Sequence, residues 1–239
     1  MEGSTPVLSI ALVREDGEVL ASLEYDHGDQ GESHSRLLPG VLDALFARAE
    51  LGPDELSGVA VGIGPGAFTG LRVILATAKG IAYARRLPLV GVSTLEALAL
   101  AAPAPEGATV VPVLDARKKE IYAAVYRREG EGLVCLSPRA AMPPERLAEM
   151  LAAFSGPLVL LGQGYRVYRE ILDRATEGRR LDLGELPRAP RAQEVARLAF
   201  REPLVYDREA LFGLEPDYVR KSDAELGWKR PERPTTGPN

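Results

Sequence analysis

Apolar positions along the chain follow the two-residue period of strands in some stretches and the helical period in others. Residues 7–13 alternate like a strand, and residues 18–25 continue as its partner after a glycine-containing turn, so together they predict a β-hairpin. Residues 35–49 and 70–86 carry apolar side chains at helical spacing and predict two long helices. Further strands are predicted at 59–63, 88–92, 109–114, 120–126, 132–136 and 157–161. Further helices are predicted after a cap at Ser93 or Thr94, from the Pro143-Pro144 pair to about 154, up to 172 and over 192–200.

The order of these elements predicts two α/β layers, each with a partly antiparallel sheet. The Ala- and Pro-rich stretch 101–107 is the best candidate for the boundary between them. We therefore expect one subdomain over 1–102 and a second over 103–225, whose last helix could return to the N-terminal half. Residues 226–239 contain three prolines and few apolar side chains, and are predicted to be a disordered tail.

A glycine turn joins the third predicted strand to the second long helix. It contains Gly64, Pro65 and Gly66, followed by Thr69 as the predicted helix N-cap and by Gly70. Strand, turn and helix in this order can aim backbone N–H groups at a phosphate. The alternative is a structural turn that needs glycine for its backbone angles, and local evidence favours it because glycine turns far outnumber phosphate sites. The turn is therefore a weak nucleotide candidate, and no Gly-Lys-Thr/Ser follows it as P-loop chemistry requires.

The helix 35–49 is apolar over more than one face. Its apolar side chains sweep about 180° of arc at the helical angle of about 100° per residue. A helix that lies on one sheet needs a stripe of only about 100°. The excess predicts that this helix also meets a partner, through Leu38, Val41, Leu42, Leu45 and Phe46.

Charged side chains form a line along the helix 70–86. Arg72, Lys79 and Arg86 follow one another at intervals of seven, with Tyr83 beside them. The line could contact phosphates, but the interpretation as a solvated helix face is favoured.

Small side chains form a ridge on another side of the same helix. Ala76, Gly80 and Ala84 recur at four-residue spacing, where the backbone of another helix could come close. A glycine inside a helix costs about 1 kcal/mol relative to alanine, and close packing is one reason to accept that cost. The ridge could equally lie against the protein's own sheet.

Composition narrows the class of protein. The 239 residues include 29 Lys and Arg against 34 Asp and Glu, a net charge of −5, whereas a surface that grips nucleic acid is more often basic. The single cysteine, Cys135, excludes an internal disulfide and suits a reducing compartment. No apolar run is long enough to span a membrane and the N-terminus lacks a signal pattern, so we expect a cytoplasmic protein.

Residues of the usual catalytic types do not form a recognisable constellation. His27 and His34, the only histidines, are seven residues apart across a polar loop, which does not match zinc-hydrolase spacing. Asp115 follows an apolar run, where acidic catalytic residues can lie, but the start of a turn is the favoured interpretation. Ser33 and Ser35 lack the flanking glycines of a nucleophile elbow. We therefore predict no catalytic residue, no metal and no cofactor.

Several segments resemble the bacterial TsaB family. Gly-Pro-Gly-Ala-Phe-Thr-Gly-Leu-Arg at 64–72, followed by Ala-Lys-Gly-Ile-Ala at 78–82, is similar to the family's signature. His-Ser-Arg-Leu-Leu-Pro at 34–39 resembles the start of its first helix, Asp-Ala-Arg-Lys-Lys-Glu-Ile-Tyr at 115–122 its central hairpin, and Pro-Asp-Tyr-Val-Arg at 216–220 its C-terminal segment. Together these segments span almost the whole chain.

The resemblance implies both a fold and a role. The fold would be α/β, with two ribonuclease-H-like halves as in actin, Hsp70 and sugar kinases (the ASKHA type). The role would be in forming threonylcarbamoyladenosine beside the anticodon of tRNAs, as the non-catalytic partner of the transferase TsaD, joined by the ATPase TsaE. Contact with tRNA would then be indirect, through the complex, and the chain could form a homodimer when alone.

The beginning of the sequence departs from the family pattern. Members begin with an apolar strand that leads into Asp-Thr-Ser-Thr, a phosphate loop, whereas Glu2 and Gly3 stand here in place of Asp-Thr and the strand is missing. We hypothesise that the protein starts further upstream, and nucleotide binding through this loop is doubtful for the sequence as written.

The leading hypothesis is an interaction subunit whose docking face comprises the helices 35–49 and 70–86. The alternative is an ATP-dependent transferase or kinase of the same fold that acts alone. Such an enzyme would need an acidic phosphate-loop residue and a metal-holding carboxylate, and the sequence supplies neither convincingly. ATP turnover by the purified chain, lost on Asp115→Asn, would favour that alternative.

Overall fold

The computed structural model describes residues 1–26, 28 and 33–219. Within these residues the strands are β1 (Val7–Val13), β2 (Val19–Asp26), β3 (Val59–Gly64), β4 (Leu89–Ser93), β5 (Thr109–Arg117), β6 (Glu120–Glu129), β7 (Gly132–Met142) and β8 (Leu158–Leu161). The helices are α1 (His34–Ala49), α2 (Phe68–Arg85), α3 (Thr94–Leu100), α4 (Pro144–Leu151), α5 (Gln163–Val167), α6 (Arg169–Ala175), α7 (Ala192–Ala199) and α8 (Arg208–Gly213), with a short 3-10 helix at Pro53–Glu55.

Local chemistry explains where several helices begin. The predicted start of α3 is confirmed, since the Ser93 hydroxyl accepts a hydrogen bond from Glu96 N at 3.4 Å. α4 begins with Pro144, in a first-turn position that suits proline. The pattern of apolar residues does not predict α8, although the carboxylate of Asp207 caps it by accepting from two backbone amides.

The predicted N-cap of α2 is wrong, whereas its predicted end at residue 86 agrees with the structure. Thr69 as the N-cap of α2 is wrong: the N-cap is Ala67, whose carbonyl accepts from Leu71 N at 3.0 Å, and Thr69 lies inside the first turn. At the other end, α2 stops at Arg86, which has a left-handed φ of 53°. The predicted tail at 226–239 lies outside the described residues.

The strands form three sheets. β1 and β2 pair antiparallel, β3 and β4 pair parallel, and β7-β6-β5-β8 form a four-stranded mixed sheet. Met1 and Glu2 connect the first two sheets. Glu2 exchanges both backbone hydrogen bonds with Ser9 of β1, at 2.8 and 2.9 Å, and the Met1 amino group donates to Ala60 O of β3 at 2.8 Å.

Helices cover both sides of the two small sheets. α1 packs on β1 and β2 and against α2, which in turn packs on β3. α7 packs against β1, β3 and β4, and Ala192 N donates to the Ser9 hydroxyl at 2.9 Å. The core between α1, α2 and the strands includes Leu8, Ile10, Leu38, Leu45, Val61, Leu71 and Ile74.

The four-stranded sheet has an apolar core on each face. One core joins it to α3, and the other joins it to α4 and α6 through Leu147, Leu151 and Leu172. Among the described helices, none combines the length and the apolar character needed to cross a membrane. The domain boundary near residue 102 stays a prediction.

Candidate functional site

The glycine turn after β3 is covered by the chain's own N-terminal segment. Gly64 has a φ of +113°, which favours glycine, and precedes a cis peptide bond to Pro65. A Cβ on Gly66 would lie 2.4 Å from Ser4 Cβ, and a Cβ on Gly70 would lie 2.1 Å from Gly3 O. These two glycines are therefore needed for the close approach of backbone to backbone.

Backbone groups around this turn already have partners within the chain. Ala67 N donates to Ser4 O at 2.7 Å, and Gly64 N donates to the Thr94 hydroxyl at 3.2 Å. The carbonyl of Ile63 accepts from Asp217 N at 2.7 Å. The geometry favours the structural interpretation of the turn over a phosphate cradle, because the amides of Gly64 and Ala67 bond to protein and are not free to face a phosphate.

Glu2 fills the space beside the turn. Its carboxyl is buried, accepts from Ser4 N at 2.6 Å and from the Thr94 hydroxyl at 3.1 Å, and lies against Gly62. Burial raises the pKa of this carboxyl, against the opposing effect of its hydrogen bonds. A buried acid at this position adds no cationic group that could hold a phosphate.

The other candidate chemical residues have structural partners. Asp115 lies near the end of β5, where its Oδ1 accepts from Arg117 N at 2.9 Å. The β5–β6 turn begins after Arg117 and not at Asp115, so the predicted start of the turn is too early. His34 Nε2 lies 3.1 Å from Gly3 O and 3.0 Å from Thr5 O, so a proton on this nitrogen holds α1 to the N-terminal segment. In the described part of the chain, His, Cys, Asp and Glu residues do not gather in groups of three or more that could hold a metal ion. His27 lies outside that part.

The apolar arc of α1 turns into the protein's own core, which corrects the expectation that it faces a partner. Leu38, Val41 and Leu45 are only 2%, 6% and 1% exposed. Leu42 and Phe46 are partly buried against the same core. The wide arc is satisfied by α2 and the strands together, so Leu38, Val41 and Leu45 are not available to another molecule.

The ridge of α2, by contrast, is open. Ala76, Gly80 and Ala84 are exposed, and among the described residues no atom beyond the neighbouring backbone of α2 lies within 4 Å of a Cβ built on Gly80. The alternative that this ridge lies against the protein's own sheet is therefore wrong. α1 exposes a second set of small residues, Gly40, Ala44 and Ala47.

We call these six exposed residues the small-residue face. Both sets lie on sides of α1 and α2 that turn away from the core the two helices share. The apolar pattern of α1 does not reveal its set of small residues, because they lie on the side of the helix opposite the apolar arc. The spacing of small residues on the opposite side of the helix would have revealed it.

Beside this face, aromatic and cationic side chains of α2 meet the C-terminal segment. Arg72 lies 3.8 Å over the Phe68 ring, and its Nε donates to the Tyr218 hydroxyl at 2.9 Å. Lys79 Nζ donates to Phe212 O at 2.9 Å, and the Tyr83 and Phe212 rings are 5.4 Å apart. Arg208 lies 5.7 Å from the Tyr83 ring centre.

We call this set of residues the aromatic–cation strip. The predicted line along α2 is thus only partly a solvated face, since Arg72 and Lys79 hold the C-terminal segment while Arg86 ends the helix. Sequence reasoning missed the contributions of Arg208, Phe212 and Tyr218, which lie more than 120 positions from their partners.

Several known proteins are similar to this chain in sequence and in fold. A protein of Escherichia coli (strain K12), "tRNA threonylcarbamoyladenosine biosynthesis protein TsaB", is 32% identical over 232 residues, which cover 96% of this chain and 96% of that protein. The chain belongs to the TsaB family. A TsaB protein of Bacillus subtilis (strain 168) is 29% identical over 95% of this chain and 96% of its own length. The sequence model of the family described as "TsaD: tRNA N6-adenosine threonylcarbamoyltransferase" matches residues 29–228.

Solved structures of relatives superpose on this chain over most of its length. YeaZ from Pseudomonas aeruginosa superposes with a TM-score of 0.71 at 27% identity, covering 91% of this chain and 96% of that one. A second structure from that organism, described as an uncharacterized protein with similarity to peptidase YEAZ, gives a TM-score of 0.73 at 28% identity over 92% and 97% of the two chains. The predicted family and the predicted α/β fold class are confirmed. The family's role is in threonylcarbamoyladenosine biosynthesis.

Proposed function

We propose that this chain is a non-catalytic subunit required for threonylcarbamoyl transfer to the adenosine beside the anticodon of tRNAs. It acts in the cytoplasm by binding the catalytic subunit TsaD, with TsaE as the ATPase of the assembly, and it meets tRNA only through the complex. Membership of the TsaB family supports this role. The glycine turn supports it too, because its backbone groups bond within the chain and leave no evident nucleotide cradle.

The observation that carries the docking proposal is the open small-residue face of α1 and α2. The distance between packed helices depends on the side chains at their contact, and small ones permit the closest approach. A glycine in the middle of a helix lowers stability, and packing within the described chain gives no reason for one at Gly80, because its Cβ position faces open space. Close packing of a partner helix against Gly80 would offset that loss of stability.

The aromatic–cation strip extends the same docking surface. Arg, Tyr and Phe are enriched in protein interfaces, where they act as anchors. Tyr83 and Phe212 are 46% and 53% exposed, and so have surface left to bury. The revised docking surface therefore keeps the predicted residues of α2, Arg72, Ala76, Lys79, Gly80, Tyr83 and Ala84, and loses the buried residues of α1.

Gly80→Leu tests the docking surface directly. The open space around Gly80 accommodates leucine in the isolated chain, and the helix should gain about 0.5–1 kcal/mol from the better helix former. At the interface the added side chain overpacks a close contact, which costs about 1–3 kcal/mol, or roughly 5- to 150-fold in affinity for TsaD. Calorimetric titration of TsaD and a reconstituted assay of tRNA threonylcarbamoylation would measure both effects.

Glu149→Leu is the matched control. Glu149 is an exposed position on α4, far along the chain from the proposed surface, and it accepts the same added side chain. It should leave the affinity for TsaD unchanged. Unchanged affinity of Gly80→Leu as well would place the docking surface elsewhere. The sedimentation of each variant alone would show whether the same face supports a homodimer.

A further inference from the structure

The outer edge of β8 is only partly paired. Its inner edge pairs with β5. On the outer edge, Leu158 N donates to Arg179 O at 2.9 Å, and Leu158 O accepts from Leu181 N at 2.8 Å. At the other end of the strand, Gly162 N donates to Pro187 O at 3.1 Å. The following chain therefore leaves this edge after Leu181 and returns to it at Pro187.

Leu160 lies in the gap between these contacts. Because hydrogen-bonding sides alternate along a strand, its N–H and C=O point to the same edge as those of Leu158. Neither group has a hydrogen-bond partner on that edge within the described chain, although Leu160 is only 2% exposed. Buried backbone groups are normally paired. A donor and an acceptor therefore stand side by side, as on the free edge of a sheet.

A cavity of about 460 Å³ lies between this edge and the loop that follows. We call it the β8 cavity and define it by six of the residues that line it: Leu160, Tyr165, Arg166, Arg169, Arg180 and Leu183. A water molecule takes up about 30 Å³ of liquid, whereas small-molecule sites measure about 300 to 1,000 Å³. The β8 cavity is therefore large enough for a small organic ligand.

Three arginines bring positive charge to the β8 cavity. Arg169 Nε donates to Asp173 Oδ2 at 3.0 Å, and Arg180 Nε lies 3.3 Å from Asp173 Oδ1. Arg166 Nη2 lies 3.7 Å from Glu185 Oε1, which is beyond hydrogen-bond distance. A guanidinium has five N–H donors, so these acids leave donors on all three side chains without a partner in the described chain. Such donors favour a carboxylate or a phosphate group.

The rest of the lining is mostly apolar. Leu181, Leu183 and Leu186 come from the loop. Asp182 is a further acid in the lining, and its Oδ1 already accepts from Gly184 N at 3.2 Å. Because apolar walls with a few polar groups are typical of ligand sites, the lining fits a molecule that combines an apolar group with an anion.

We propose that the β8 cavity binds a small N-acylated α-amino acid with an apolar side chain. Its N–H would donate to Leu160 O, and one carboxylate oxygen would accept from Leu160 N, as one residue of an antiparallel pair does. The second carboxylate oxygen would accept from the guanidinium of Arg166. Extended peptides bind sheet edges through the same main-chain bonds. This inference is independent of the proposed docking to TsaD.

N-acetyl-leucine is the probe, titrated into the isotope-labelled chain and followed by NMR. The amide signal of Leu160 should shift to saturation, and its exchange with solvent should slow by about tenfold or more. Two analogues each lack one of the proposed contacts: N-acetyl-leucine amide has no carboxylate, and N-acetyl-N-methyl-leucine has no N–H. Each should bind about tenfold or more weakly than the probe.

Arg166→Gln removes one guanidinium from the β8 cavity. It should weaken binding of N-acetyl-leucine by about fivefold or more. The thermal midpoint should change little, because Arg166 is exposed and Glu185 keeps its hydrogen bond from Arg188 at 2.9 Å. Arg14→Gln is the matched control, since Arg14 is also exposed, also lies beside acids and does not line this cavity. It should bind the probe as the parent chain does.

Two outcomes would overturn the proposal. An amide signal of Leu160 that stays unmoved at high probe concentration would mean that this edge takes no ligand of this kind. Equal binding of acetate and of N-acetyl-leucine would show an anion site without main-chain pairing. Tighter binding of the intact probe than of both analogues, weakened in Arg166→Gln and kept in Arg14→Gln, supports it.

Discussion

Glu194 is a buried carboxyl in the first turn of α7, at 4% exposure. Both of its side-chain partners bond to one oxygen: Gln193 Nε2 donates to Oε1 at 3.1 Å and Arg197 Nη1 at 3.4 Å. The second oxygen, Oε2, has no hydrogen-bond partner within the described chain. Burial raises the pKa of Glu194, opposed by Gln193 and more weakly by Arg197 and Arg191. The protonated form of Glu194 is therefore favoured more in the folded state than in the unfolded chain.

A pH dependence follows at this residue. A carboxyl whose pKa is raised on folding contributes stability below its unfolded pKa, and that contribution is lost as the pH rises through the folded pKa. Glu194→Gln removes this titration. The free energy of unfolding of the parent relative to Glu194→Gln should therefore be greatest near pH 4 and fall as the pH rises towards 7. Urea unfolding at a series of pH values would measure it, and a difference that grows with pH would contradict the assignment.

Two glycines show how much the same residue type depends on its surroundings. Gly66 lies against Ser4 so closely that a Cβ would collide, whereas a Cβ on Gly80 would meet open space. Both lie in the segment that resembles the family signature. Packing within the chain explains the glycine at position 66 but not the one at position 80.

At the scale of elements, α8 is a short helix held to α2 by few contacts. The Tyr83 and Phe212 rings meet at 5.4 Å, and Lys79 Nζ bonds to Phe212 O. Leu211 is the buried residue of the helix. A short element with half-exposed contacts should open more readily than the sheets beneath it.

Tyr83→Ala should loosen α8 and the segment after it. An aromatic pair contributes about 0.5–1.5 kcal/mol, so exchange of backbone amides over 208–218 should become about 2- to 10-fold faster. The thermal midpoint should change little, since the rings are half exposed. Hydrogen exchange read by mass spectrometry would follow the segment. Tyr25→Ala, at an equally exposed tyrosine on β2, is the control, and the docking of α8 by this ring pair is refuted if both variants behave alike.

At the scale of the molecule, the two small sheets are less completely paired than the four-stranded sheet. β5 and β6 are paired along most of their length inside a four-stranded sheet with a core on each face. β1 and β3 each pair with a strand on one edge only, while the other edge is bonded just to Met1 and Glu2, and the two strands flank a cavity of about 370 Å³. Cavities and unpaired edges lower the stability of the region that contains them.

We therefore expect the N-terminal sheets to open before the C-terminal sheet. Amides of β1 and β3 should exchange with solvent faster than those of β5 and β6, because fewer backbone hydrogen bonds must break to expose them. Exchange measured by mass spectrometry over a time course would rank the four strands. If β5 and β6 exchanged first, the cavity would not be the weak point of the fold.

Most elements, the β3–turn–α2 connection and the family can be predicted from the sequence alone. These are local properties: the period of apolar residues, proline at a helix start, serine at a cap and a run of conspicuous residues at 64–72 can all be read without knowing the fold. The same local view misplaced the N-cap at Thr69, because cap identity depends on backbone angles that a hydroxyl alone does not reveal.

Which surfaces are free depends on how the elements pack together, and the sequence pattern does not show this. The apolar arc of α1 is buried because α2 and β1 reach it from two directions, so Leu38, Val41 and Leu45 are core residues. Gly80 is open because no other part of the described chain comes near it. Tyr218 contacts Arg72, which lies 146 positions earlier in the sequence. These outcomes depend on distances between residues far apart in the chain, and side-chain periodicity within one element carries no information about them.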